Sequence, residues 1–394
     1  MIYLHALSLV NALGSDRTRI LQNWQTGTSP GLTETDFWLV DKIAAVFGCV
    51  KEALPDLSER FPGENTRNNR LLALAWEKEK DRFSALFSRH KPDRVAVILG
   101  TSTSGSDEAA RFVKTRVLGG DDPNYVAVSQ EFGNPSEFLR RYIGITGPAY
   151  TISTACTSST RAIISGVRLI DAGLVDAALV GGADTLAQSA VNGFNSLQAL
   201  SPRLCKPFAE NRAGITIGEG AGLLWLDKNP APIFLAGYGE SSDAYHISSP
   251  DPEGTGAEVA IREALQRALL SPSDIDYINA HGTATPLNDS AEAKALNRVF
   301  GNSVPVTSTK NLTGHTLGAA GITDAGLSYL LLENGPTTIC GQFFGNDTID
   351  SALPEVGILR QAATLDATFV MSNNFAFGGN NASVIFGKRQ CANT

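Results

Sequence analysis

An α/β fold is what the sequence predicts, on three observations. Several short apolar runs lack polar alternation, as strands covered on both faces do. Segments with helical spacing of apolar residues separate those runs. The 394 residues are 43% hydrophobic and 18% charged, which supplies one large core or two fused ones. The first ten residues are apolar without a basic leader and read as a first strand rather than a signal peptide. Further strands are expected over residues 94–99, 177–181, 221–226, 233–238, 277–279, 304–308, 368–372 and 382–386. Helices are expected over 69–87, 157–171, 258–269, 290–299 and 319–332, long enough to imply more than two layers. The stretch 103–146, rich in Gly, Asp and Pro, reads as a lid or an oligomer contact. A Pro-containing segment at 228–232 separates a half at 1–229 from one at 230–394.

The net charge of −8 argues against a nucleic-acid partner. No window approaches about 18 continuous apolar residues, so no membrane span is expected. The five cysteines at 49, 156, 205, 340 and 391 are scattered and form no CxxC pair. Neither a zinc site nor a disulfide framework follows from them, and a reduced, cytoplasmic protein is expected. His5, His90 and His246 are too far apart in the chain to suggest metal ligands.

Four segments carry chemistry. Cys156 lies between an apolar run ending at Ile152 and a helical pattern of Ile163, Val167, Ile170 and Leu174. A thiol at such a junction stands near unpaired helix N–H groups, which lowers its pKa and makes it nucleophilic. The alternative is a compact buried residue in a tight turn. His281 follows a strand into a loop of Gly, Thr and Pro, with a helix beginning near Asp289 and Glu292 just beyond. Lys310 and His315 occupy a polar loop ahead of a small-residue helix. Phe375 and Phe377 lead into a Gly378-Gly379 turn between two strands.

These motifs, with Asn11-Ala12-Leu13-Gly14, Gly218-Glu219-Gly220-Ala221-Gly222 and Ser241-Ser242-Asp243, occur in one order from about Asn11 to Phe386. In that order they resemble the β-ketoacyl-acyl-carrier-protein synthases of the thiolase superfamily, in the elongating Cys-His-His branch. The resemblance implies a thiolase-like fold of two duplicated halves stacked as five layers, α-β-α-β-α. It implies that Cys156 accepts an acyl chain, and that His281 and His315 stabilise the enolate formed when malonyl thioester loses carbon dioxide. Backbone N–H groups of Cys156 and Phe377 would form the oxyanion hole. Lys310 would be a supporting cation with Glu292 as its charge partner. Thr283, Thr285 and Ser249 would line the phosphopantetheine path, and Phe375 and Phe377 would gate it. An acidic carrier protein would dock on Arg67, Arg70, Arg203 and Lys206. No metal or dissociable cofactor is implied, since phosphopantetheine arrives on the carrier. The partner would be an identical chain or a related subunit, with the 103–146 region contributing.

Departures from the family lie in 207–215, where Ala209, Ala213 and Ile215 replace aspartates and a pocket-lining aromatic, and at Ser158, which is nearer to polyketide-type synthases. They point to a specialised pathway, such as one building polyenes or aryl polyenes. The competing reading is a non-catalytic chain-length-factor subunit, against which the retained Cys156, His281 and His315 argue. A degradative thiolase would need a second cysteine in a Cys-x-Gly loop, and Cys391 is followed by Ala392 and Asn393.

Overall fold

Ten strands carry the scaffold: β1 (Ile2–Val10), β2 (Val95–Gly100), β3 (Ala149–Ile152), β4 (Ala177–Asp184), β5 (Gly220–Asp227), β6 (Ile233–Ser242), β7 (Tyr277–Asn279), β8 (Val306–Thr307), β9 (Phe369–Ala376) and β10 (Asn380–Lys388). They were obtained from a computed structural model that describes residues 1–123, 125–342 and 346–389. Cys391 lies outside those residues. The strand order is β3-β2-β4-β5-β1-β6-β10-β9-β7-β8. Read inward from either edge the pattern is the same. β3, β2 and β4 are parallel, and β5 and β1 follow antiparallel. β8, β7 and β9 are parallel, and β10 and β6 follow antiparallel. The copies meet where Ile2–Leu4 of β1 pairs with Ile233–Leu235 of β6.

The helices repeat the duplication. α1 (Arg67–Lys78), α2 (Asn134–Ile143) and α3 (Ser158–Asp171) connect β1 to β4, as α4 (Thr255–Ala268), α5 (Pro286–Phe300) and α6 (Ala320–Glu333) connect β6 to β9. α3 and α6 pack on each other between the two halves of the sheet, α1 and α2 cover one outer face, and α4 and α5 pack on the other side. Five layers result, as expected. Strand sequence explains the burial. On β2, Val95, Val97 and Leu99 face an outer cluster with Leu71, Trp76 and Phe138. Ala96 and Ile98 face the central cluster with Ile163, Ile322 and Val384. Both faces are apolar because both are covered.

One helical expectation changes, and one stretch gains helices the sequence did not signal. The run over 69–87 is broken at Glu79 into α1 and a second helix, Lys80–Phe87, which lets Trp76 and Phe83 stack at 5.4 Å. The 103–146 stretch, read as a lid or an oligomer contact, holds the helix Ser106–Val117 and α2.

The close meeting of α3 and α6 positions everything that follows. Gly321 allows it: a Cβ there would lie 2.4 Å from the Thr160 backbone nitrogen. Ser159 Oγ accepts the Ile322 N–H at 2.9 Å and locks the contact. The loops entering α3 and α6 are equivalent in the two copies, so the duplication itself delivers Cys156 and His315 to one place.

Candidate active site

Strand β3 ends at Ile152, and a tight elbow then carries Cys156 to the start of α3. Ala155 takes φ +51°, an uncommon conformation for a residue with a Cβ. Ser158 stabilises the elbow: its Oγ donates to the Ala155 carbonyl at 2.6 Å and accepts the Thr154 N–H at 2.9 Å. The serine that departs from the family pattern thus shapes the turn presenting the thiol.

His281 stands two residues beyond β7. The Glu292 carboxylate on α5 accepts the N–H groups of His281 at 2.8 Å and Gly282 at 2.7 Å. His315 is stitched to the first half: its N–H donates to Thr216 O at 2.6 Å, and its carbonyl accepts from Gly218 at 2.9 Å. Gly314 before it takes φ +69°, and a Cβ there would lie 2.8 Å from Gly218 backbone atoms. Beyond it, the Gly318 N–H donates to Asp184 Oδ2 at 2.5 Å. Asp184 also accepts from Thr101, Ser102 and Thr103, tying the end of β2 to the histidine loop.

The three side chains converge. His315 Nε2 lies 2.9 Å from Cys156 Sγ. The His281 ring stands edge-on to His315 at 5.3 Å and to Phe375 at 6.2 Å. All three line a cavity of about 240 Å³ together with Phe375, Phe377 and Ile215. Thr283, Thr285 and Ser249 line it as well. Phe377 packs on Phe194 at 5.6 Å. The backbone N–H groups of Phe377 and Cys156 are directed toward the thiol sulfur and lower its pKa.

Burial dominates the electrostatics. It pushes the Cys156 thiol up to about 12, against the pull of the Lys310 charge and those two N–H groups. The helix N-terminus was expected to lower this pKa, but desolvation of a buried sulfur outweighs it. Burial and the nearby Lys310 charge hold His281 and His315 well below the usual imidazole range, so both are neutral at pH 7. The resting state is therefore a thiol beside a neutral base.

The expected pairing of Lys310 with Glu292 is corrected. Lys310 Nζ bonds Asp324 Oδ2 at 3.0 Å, while both Glu292 oxygens are taken by backbone N–H groups. Asp324 was missed. The signal for it was a single aspartate inside the otherwise apolar helix α6. Asp184 and Phe194 were also missed, since nothing local marks them.

The four residues expected to dock a carrier protein are placed as follows. Arg67 grips the buried Glu219 through Nε at 2.6 Å and Nη2 at 2.5 Å. Arg70 donates to the carbonyls of Pro55 and Leu54. Both guanidinium groups hold the chain to itself. Lys206 pairs with Asp347 at 2.7 Å, and Arg203 is exposed. His5 and His90, far apart in sequence, meet on opposite oxygens of Asp227 at 2.8 and 3.3 Å.

Glu292 has a measurable consequence. Burial pushes its carboxyl up to about 8, so the folded chain retains a proton there that the unfolded chain loses near 4.5. That contribution to stability is complete below about 4.5 and is lost as pH rises through about 8. The imidazoles act oppositely: neutral when folded, they cost stability as pH falls below about 6.5. With both effects together, stability should peak near pH 6.5 and fall by about 1 kcal/mol between pH 6.5 and 8. Urea unfolding at the two pH values reads this. The Glu292→Gln variant should lose the alkaline slope, and an unchanged slope would assign it to another group.

Fold and site together define a duplicated α/β protein with a buried thiol–imidazole centre at strand ends. The family pattern described as β-ketoacyl synthase, N-terminal domain, matches residues 71–231, and its C-terminal counterpart matches 234–339. The chain belongs to the β-ketoacyl synthase family. It is 36% identical over 268 residues to 3-oxoacyl-[acyl-carrier-protein] synthase 2 of Staphylococcus aureus, across 62% of this chain and 63% of that protein. The match therefore spans less than two thirds of that relative. The structure of ketosynthase ApeO in complex with its chain length factor ApeC, from Xenorhabdus doucetiae, contains a chain of 50% identity and TM-score 0.96, with 98% of each chain covered. The ishigamide ketosynthase/chain length factor is similar at 26% identity and TM-score 0.89, with 99% of each covered.

Proposed function

We propose that the chain is a condensing acyltransferase that joins an acyl group held on Cys156 to a carbanion derived from malonyl-acyl-carrier protein. The observation that carries this is the 2.9 Å contact between a buried thiol and a neutral imidazole, with the backbone N–H groups of Cys156 and Phe377 directed toward the same sulfur. His315 takes the thiol proton as Sγ attacks the incoming thioester carbonyl, and the N–H groups of Cys156 and Phe377 receive the oxyanion. The carrier thiol leaves with that proton. In the second half-reaction carbon dioxide departs from the malonyl group, and neutral His281 and His315 donate to the enolate oxygen. Its carbon attacks the acyl-cysteine and frees the thiolate. Phosphopantetheine lies along Thr283, Thr285 and Ser249, and no resident cofactor takes part.

The partners we assign are an acyl carrier protein and a second ketosynthase-like subunit, related rather than identical. Support for the latter is the likeness to a ketosynthase–chain length factor complex and the exposed Val113, Val117, Leu118 and Phe132 in the 103–146 region. Ile215 in the cavity wall, where the family pattern has an aromatic, suits a specialised polyene-type chain. A cytoplasmic location accompanies this reading; among the described residues no helix is long and apolar enough to cross a membrane.

Mass spectrometry after incubation with a panel of acyl-carrier thioesters tests the reading. A single acyl adduct is expected on the wild type and none on Cys156→Ala. Absence of any adduct, with candidate partner subunits added, would favour the non-catalytic chain-length-factor role.

A further inference from the structure

Cys156 Sγ and one ring nitrogen from each of His281 and His315 all lie within 4.8 Å of one another, and all three residues are buried. This is the one such group among the described residues. Its donors are one sulfur and two imidazole nitrogens facing a cavity, which supplies a water-accessible fourth position. From these features we propose that the pocket is also an inhibitory site for a thiophilic divalent cation, of which Zn²⁺ is the type.

Tetrahedral Zn²⁺ has bonds of about 2.3 Å to sulfur and about 2.0 Å to imidazole, which sets neighbouring donors about 3.5 Å apart. The present thiol–His315 separation of 2.9 Å has to open by roughly 0.6 Å to reach that spacing. The adjoining cavity leaves these side chains room to rotate apart. The Nδ1 atoms of both histidines are buried without a hydrogen-bond partner. Nothing on the far side of either ring therefore fixes its tautomer, and each Nε2 can serve as a donor to an oxyanion or as a lone-pair ligand. The same feature keeps the cation reversible, because the outer partners that tighten metal-binding histidines are missing. The nearby cation Lys310 is compensated by Asp324 at 3.0 Å, so it does not present an unpaired charge to the metal.

The step is balanced. The thiol loses its proton to solvent, the sulfur binds the cation, and no oxidant or reductant takes part. A bound cation occupies the sulfur lone pair and both imidazoles, so acylation and the later enolate step stop together. The inference depends on the geometry of the three side chains and not on which carrier or acyl group the protein uses.

The test titrates the intact, reduced chain with Co²⁺ and follows thiolate-to-cobalt absorption in the near ultraviolet. One equivalent should saturate the band, about one proton should be released, and Cys156 should resist iodoacetamide until a chelator is added. Zn²⁺ should displace the band. The Cys156→Ala variant should lack it, and His281→Ala and His315→Ala should each weaken binding at least tenfold, with circular dichroism confirming that each variant is folded. Imidazole-only clusters, such as His5 and His90 about Asp227, give no thiolate band. A band that survives in Cys156→Ala, or affinity unchanged in both histidine variants, would overturn the proposal. So would the absence of any band in the wild type. None of these readouts requires condensing activity.

Discussion

Asp324→Ala is expected to destabilise the fold by about 3–5 kcal/mol, because it strands a buried cation. The Lys310 and Asp324 side chains are each 2% exposed, so water cannot take over for a lost partner. Asp324 also accepts from Asn374 Nδ2 at 3.0 Å and from Thr309 Oγ1 at 3.2 Å. Asn374 in turn accepts from Thr160 on α3 at 2.6 Å. The carboxylate therefore joins α6 to β9, to α3 and to the loop bearing Lys310. Lys310→Met should cost a similar amount by stranding the anion. The double variant Lys310→Met, Asp324→Asn removes both charges while keeping a polar group for Asn374, and should cost less than either single change. Its activity should stay low, since no cation then lies near the thiol. Urea unfolding separates these outcomes. A loss below about 1 kcal/mol for Asp324→Ala would show that the pair contributes little to the fold.

The parts legible in the sequence are those whose signal is local. Cys156, His281 and His315 each sit where an apolar strand gives way to a glycine- or threonine-rich loop, and the structure brings all three to one cavity. Apolar strands without alternation gave the α/β class, because both faces of β2 and its neighbours are covered. What stayed hidden depends on contacts between distant segments. The partner of Lys310 was read as Glu292, an acidic residue in the adjacent motif, yet the Glu292 carboxylate is needed by the backbone of the His281 loop. The low pKa expected at Cys156 rested on a helix end alone, whereas burial is set by the whole fold. Arg67 and Arg70 looked like surface cations because sequence does not show that Glu219 and two carbonyls face them. Asp227 as the meeting point of His5 and His90 is illegible for the same reason: the residues come from three separate segments.

His281→Ala and His315→Ala should divide the reaction differently, with losses of about 10²–10⁴ in condensation for each. The geometry is asymmetric. His315 Nε2 touches the thiol at 2.9 Å, whereas His281 has no hydrogen bond to sulfur and stands between His315 and Phe375. Acylation needs the thiol proton removed, and burial makes that step dependent on an adjacent base because the unaided thiol titrates only near 12. His315→Ala should therefore slow acyl transfer to Cys156 as well as condensation. His281→Ala should acylate within about tenfold of the wild-type rate and then stall, accumulating acyl-enzyme without releasing carbon dioxide. Timed mass spectrometry of the adduct measures the first step, and carbon dioxide release from malonyl-carrier protein measures the second. Raising the pH should partly restore acylation in His315→Ala, since hydroxide substitutes for the lost base, and should leave His281→Ala unrescued. Equal acylation rates in the two variants would mean that the 2.9 Å contact is not the route of the thiol proton. The oxyanion hole and the Lys310 charge would then have to generate the thiolate without a base.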